Sequence, residues 1–176
     1  MKFFFRATIF ILTLTIFVLF INELDAELFS PWVIERLVGK EAPEFTAKDL
    51  SGNSVTLSAF KGRPILLNFW ATWCPDCREE RPYLNFLYSE YKDRGLVIIA
   101  VSTDKSVQKV KAYLERTPMN FTILHDSSNK AAESYGVYSL PASFLIDRRG
   151  IIKHKFIELR DWTDKKTRKP IEGLFE

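Results

Sequence analysis

A chain of 176 residues, 47% of them apolar, is long enough for one compact domain of about 100–150 residues plus a further segment, and too short for two full domains. Its 25 basic and 22 acidic residues leave a net charge of +3 and are mixed along the chain, without the basic stripe that nucleic-acid binding requires, so nucleic acid is excluded as a partner. The only cysteines, Cys74 and Cys77, leave no thiol for a structural disulfide elsewhere, so the core must be stabilised by burial and any disulfide is this pair itself.

In chain order, Lys2 and Arg6 come before an apolar run from Ala7 to Ile21 interrupted only by threonines. A cleavable signal peptide and a retained membrane anchor share this pattern. Leu24 stands where cleavage after Ala26 would want a small residue, and no later cysteine is placed to carry a lipid, which favours retention. As a helix, Phe3 to Ile21 would be about 28 Å long, close to the ~30 Å of a hydrocarbon core. The basic N-terminal flank then puts the rest of the chain on the non-cytoplasmic side. Residues 1–24 are thus expected as an anchor or signal segment, 25–41 as a tether with a short helix near Ser30 and Pro31, and 42–176 as the folded domain.

That domain opens with two short extended runs around Ser51-Gly52-Asn53, which predicts a hairpin. The continuous apolar run "PILLNFWAT" reads as a central strand buried on both faces, and "GLVIIAVS" repeats the pattern. Between them the spacing predicts a helix from Cys74 to about Tyr91. "SVQKVKAYLER" predicts a second helix, with Ser106 as its cap and Val107, Val110 and Leu114 on one face. A short strand "FTIL", a small helix around Lys130 to Tyr135, and the strands "ASFLID" and "IIKHKFIE" joined by a turn at Arg148 to Gly150 complete the series. The expected class is α/β: a mixed sheet with helices on both faces and an added N-terminal hairpin.

The chemistry concentrates at "FWATWCPDCREE". Cys74 falls where strand gives way to helix, with Pro75 suited to the first helical position. The positive end of the helix lowers a thiol pKa and favours a thiolate, which makes Cys74 the attacking sulfur and Cys77, one turn inward, the resolving thiol. Asp76 between them either opposes charge on Cys74 or simply complements the helix dipole. A metal site is disfavoured on ligand supply, because tetrahedral zinc wants four ligands, the one CxxC gives two, and no second CxxC follows, leaving only His125 and His154. Along the helix, Cys77, Glu80, Leu84, Leu87 and Tyr91 share one face, so a carboxylate lies on the stripe that otherwise meets the core. Desolvation raises its pKa and suits Glu80 to exchange protons near neutrality.

"NFWATWCPDCREERP", followed some sixty residues later by "VYSLPASFLIDRRGII", resembles the membrane-anchored, thioredoxin-like proteins of the TlpA/ResA/CcmG group. The resemblance runs from Ala42 to about Phe175. It implies a thioredoxin fold and thiol–disulfide exchange in an extracytoplasmic compartment, the bacterial periplasm or the outer face of the cell membrane. By position, Cys74 resembles the nucleophile, Cys77 the resolving thiol, Glu80 the active-site glutamate and Pro141 a cis-proline facing the motif. The backbone of Leu140 would then be offered to a client peptide in a pairing like strand addition, with Trp73 on the docking surface and Pro75 and Asp76 tuning the couple. No cofactor is implied beyond the redox-active disulfide Cys74–Cys77. The implied partners are client proteins with disulfides, apocytochrome c among them, a membrane thiol–disulfide electron donor, and the membrane itself through the N-terminal helix.

Two departures qualify the likeness. Asn68 stands where thioredoxin carries an acid, which moves proton handling to Glu80, and Glu158 stands where many relatives carry glycine. Two rival functions remain: a thiol peroxidase of the peroxiredoxin type, whose nucleophile usually has a T-x-x-C setting, and a non-enzymatic, copper-handling anchored module. Peroxide turnover would reveal the first; stoichiometric copper binding without disulfide reduction would reveal the second.

Overall fold

The computed structural model describes residues 37–175. The expected membrane helix and most of the tether lie outside them, and among the described residues no helix is long and apolar enough to cross a membrane. The hairpin forms as expected from β1 (Thr46–Asp49) and β2 (Ser54–Thr56). Asp49 Oδ1 accepts from the backbone N–H groups of Ser51 and Asn53, both at 2.8 Å, while Gly52 takes φ +93°, a conformation that costs a glycine little.

The centre of the molecule is β3 (Ile65–Trp70), buried at every position, with β4 (Val97–Ser102) parallel on one side and β6 (Ala142–Ile146) antiparallel on the other. With β5 (Thr122–His125) and β7 (Ile152–Ile157) the sheet has seven strands in the order β2-β1-β5-β4-β3-β6-β7, so the hairpin extends one edge instead of standing apart. Alternation along β3 divides the core. Ile65, Leu67 and Phe69 meet Phe45, Tyr135 and Phe144 on one face, which carries the small helix α3 (Lys130–Ser134). Leu66 and Trp70 point to the other face, covered by α1 (Pro75–Tyr91), α2 (Val107–Arg116) and α4 (Lys165–Glu172). Helices on both faces of a mixed sheet are the expected architecture.

The stripe on α1 is buried as the spacing predicts: Cys77, Glu80, Leu84, Leu87 and Tyr91. Burying a leucine such as Leu87 completely contributes about 1.5–3 kcal/mol, which fixes the face that α1 turns to the sheet. Two details differ from expectation. Ser106 occupies the N-cap of α2 but makes no capping bond; its hydroxyl pairs instead with the Gln108 side chain at 3.1 Å. Helix α4 is not among the expected elements. Its sequence is strongly charged and contains Pro170, which hides an eight-residue helix whose N-cap, Asp164, accepts from the N–H groups of Lys166 and Thr167.

Candidate active site at the N-terminus of α1

β3 ends at Trp70 at the carboxyl end of the sheet, and after a short loop α1 begins with Pro75 in its first turn. Cys74 is the N-cap residue, and the backbone N–H of Cys77 donates to Cys74 Sγ at 3.1 Å. The sulfur therefore takes the place of a capping oxygen, facing the positive end of a helix of 17 residues. Cys74 and Cys77 are disulfide-bonded, with their Cα atoms 5.3 Å apart. Both are buried, 3% and 4% exposed, so exposure does not distinguish them; Cys74 differs in that its sulfur receives a backbone N–H. Asp76 lies exposed in the first turn.

One turn beyond Cys77, Glu80 is only 1% exposed, so it does not bend to water. Its Oε1 accepts from Trp162 Nε1 at 2.9 Å and from the backbone N–H of Arg160 at 3.2 Å; its Oε2 accepts from Asn68 Nδ2 at 3.1 Å. Asn68 Nδ2 also donates to Ser143 Oγ at 2.9 Å, tying β3 to β6 beneath the carboxyl. Burial pushes the Glu80 carboxyl from 4.5 up to about 7, because desolvation outweighs these three hydrogen bonds and the charge of Arg160, all of which favour the ionised form. Such a group is protonated and ionised in comparable amounts at neutral pH and can take or give a proton.

The rest of the rim comes from two loops. Trp73, 66% exposed, stands just before the cysteines. The Leu140–Pro141 bond is cis; Pro141 is buried and Leu140 half-buried, packed against the core. The Pro141 carbonyl accepts from the N–H of Glu158 at 3.0 Å, and Glu158 itself adopts φ +90°, left-handed backbone that glycine adopts more readily than any other residue. The loop before the motif is anchored by buried Asp104. Its carboxylate accepts from Thr72 N at 2.9 Å, Thr72 Oγ1 at 2.6 Å and Ser102 Oγ at 2.8 Å.

The structure thus brings Trp73, Cys74, Pro75, Asp76, Cys77 and Glu80 onto one strand-to-helix junction, and sets Leu140 and Pro141 at the start of the adjacent strand β6. Sequence reasoning missed the cradle of Glu80. One signal was available: Asn68 is a polar residue inside a run buried on both faces, and a buried amide needs partners. Trp162 and Arg160 gave no such signal. Among the described residues no group of three or more His, Cys, Asp or Glu is placed to hold a metal ion.

Comparison with known proteins agrees with this geometry. The model of the AhpC/TSA family matches residues 38–155. Thiol-disulfide oxidoreductase ResA of Bacillus anthracis is 39% identical over 139 residues, covering 79% of this chain and 77% of that protein. ResA of Bacillus thuringiensis subsp. konkukian is 43% identical over 113 residues, but the match spans only 65% of its length. Among solved structures, a DsbE-named protein of Chlorobium tepidum superposes with TM-score 0.74 at 31% identity, covering 79% of this chain and 98% of that one. With the family model spanning most of the folded domain and ResA proteins aligned over most of the chain, the protein belongs to the AhpC/TSA family, among its thioredoxin-like, ResA-related members.

Proposed function

We propose that this protein is a thiol–disulfide oxidoreductase that reduces disulfides of client proteins through the Cys74/Cys77 couple. The observation that carries the reading is the disulfide-bonded pair at the N-terminus of α1, with one sulfur receiving a helix N–H and a buried carboxyl, Glu80, one turn along the same face. In the reduced protein the Cys74 thiolate attacks a client disulfide, forming a mixed disulfide and releasing one client sulfur, which takes up a proton. Cys77 loses its proton, with Glu80 as the acceptor, and attacks Cys74 Sγ. The second client sulfur leaves and is protonated, the client has gained two electrons and two protons, and Cys74–Cys77 is oxidised. A membrane thiol–disulfide donor returns the pair to the dithiol.

Pro141 and the backbone of Leu140 hold the client beside the pair, with Trp73 forming part of the docking surface and Pro75 and Asp76 tuning the couple. The N-terminal segment anchors the chain, with residues 42–176 on the extracytoplasmic side, where apocytochrome c is one client. The names of the ResA relatives and of the solved DsbE-type structure support disulfide exchange over peroxide turnover or copper handling.

The test separates the two sulfurs. Cys77→Ala should accumulate mixed disulfides with a disulfide-bonded client, whereas Cys74→Ser should neither exchange nor trap. Equal trapping by both variants would reverse or abolish the assignment, and peroxide consumption by the wild type without disulfide reduction would replace it.

A further inference from the structure

Beside the cysteine pair, α1 and α2 enclose an open depression of about 570 Å³. Arg78 and Arg81 line it from α1, Lys109 and Arg116 from α2, with Tyr113 between the helices and Thr72 from the loop before Cys74. Not one carboxylate is among its lining residues. Asp76 and Glu79 on α1 and Glu115 on α2 lie outside it. Among the described residues none of the four cations is in an ion pair, whereas exposed Arg94 and Arg149 each have one.

Two polar groups in the depression make the same point independently. Arg81 Nη1 and the Tyr113 hydroxyl are both buried without a hydrogen-bond partner, although the Arg81 guanidinium lies 4.8 Å over the Tyr113 ring. Buried donors of this kind are nearly always satisfied, so an acceptor brought into the depression would remove a standing cost. Burial and the charge of Arg78 both hold the Arg81 guanidinium below its ordinary range, and no acid offsets them. An arginine remains charged under such conditions, so the site has unneutralised positive charge.

We propose that this depression is a docking subsite for the side-chain carboxylates of a client polypeptide, seating an acidic segment next to the disulfide that Cys74 attacks. Its dimensions favour a polypeptide over a free oxyanion. Lys109 to Arg116 spans about 10 Å along α2, about the reach of three extended residues. The depression is also far larger than one inorganic oxyanion needs. Its place favours a client: Thr72 and Arg78, both in its lining, flank the segment that carries Cys74 and Cys77, so a polypeptide seated there runs close to the exchanging pair. Arginine suits the task, since its planar fork pairs with a carboxylate through two hydrogen bonds.

The proposal rests on the disulfide-exchange reading above, and its test keeps the two apart. Two disulfide-bonded peptides with the same ring, one flanked by Asp and Glu and one by Ser and Gly, are reduced by the full-length, pre-reduced protein. The readout is the ratio of their second-order rate constants, in which a general loss of thiol reactivity or of folded protein cancels. In the wild type at low ionic strength the acidic peptide should react about tenfold faster, as electrostatic steering into a charged cleft allows. That ratio should fall towards one in Lys109→Gln/Arg116→Gln, and in the wild type as sodium chloride is raised. An equal ratio in both proteins, or none in the wild type, overturns the subsite. Inorganic phosphate suppressing the acidic-peptide rate far more than sodium chloride of the same ionic strength would reassign the depression to a free oxyanion. Failure of the wild type to reduce either peptide would instead remove the exchange reading, and the subsite with it.

Discussion

Replacing Glu80 by Gln tests the electrostatics of the site in a quantity that can be measured without any client. In the oxidised, folded protein the carboxyl titrates at about 7; an unfolded chain returns it to 4.5. A carboxyl whose folded pKa is raised binds its proton more tightly when folded, so the stability linked to it is complete below about pH 4.5 and is lost as pH climbs, the loss ending just above the folded value. At 1.36 kcal/mol per pH unit, the interval amounts to about 3 kcal/mol between about pH 4 and about pH 8.

Gln keeps the volume and the acceptor oxygen for Trp162 and Arg160. A flip of the Asn68 amide lets its oxygen receive the new N–H2 group, with the Ser143 hydroxyl turning from acceptor to donor, so the fold should persist. Urea unfolding of the oxidised wild type and of Glu80→Gln at several pH values provides the assay. Taking the difference between the proteins removes every other titrating group. The wild type should lose about 3 kcal/mol relative to the variant across that range. Parallel stability curves would show that the carboxyl titrates where an exposed glutamate does, and the proton-transfer role would fall with it.

Two further substitutions probe the frame of the site. Glu158→Gly should stabilise the protein by about 1 kcal/mol, because a non-glycine residue at φ +90° holds a conformation that glycine adopts freely; a lower urea midpoint for the variant would refute this. Asp104→Ala should cost about 2–3 kcal/mol by leaving Thr72 N–H and Ser102 Oγ without their buried acceptor, and a loss under about 0.5 kcal/mol would show that the anchor is dispensable.

Much of this was legible in the sequence because the governing patterns are local. The stripe of α1 is a matter of spacing, so Cys77, Glu80, Leu84, Leu87 and Tyr91 could be placed on a buried face from their positions alone. The apolar character of Ile65 to Trp70, broken only by Asn68, likewise dictated a strand covered on both sides. What escaped depends on pairs that only the fold creates. No periodicity connects Glu80 with Trp162, and a helix of eight residues with a proline in it, such as Lys165–Glu172, is held by its contacts more than by propensity. The basic depression was hidden for a related reason. Arg78 and Arg81 on one helix and Lys109 and Arg116 on another look well mixed with acids along the chain, and become a single-sign patch only when α1 and α2 are laid side by side.

The partners of Glu80 also set an order of events during synthesis. Glu80 and Trp162 are 82 residues apart, so at about 5–20 residues per second the ribosome delivers the glutamate about 4 to 16 s before the indole that encloses it. During that interval the two cysteines have been made but their neighbouring carboxyl still faces water and titrates as an ordinary glutamate. The enclosure of Glu80 beside the pair is therefore complete only when the last quarter of the chain closes over it.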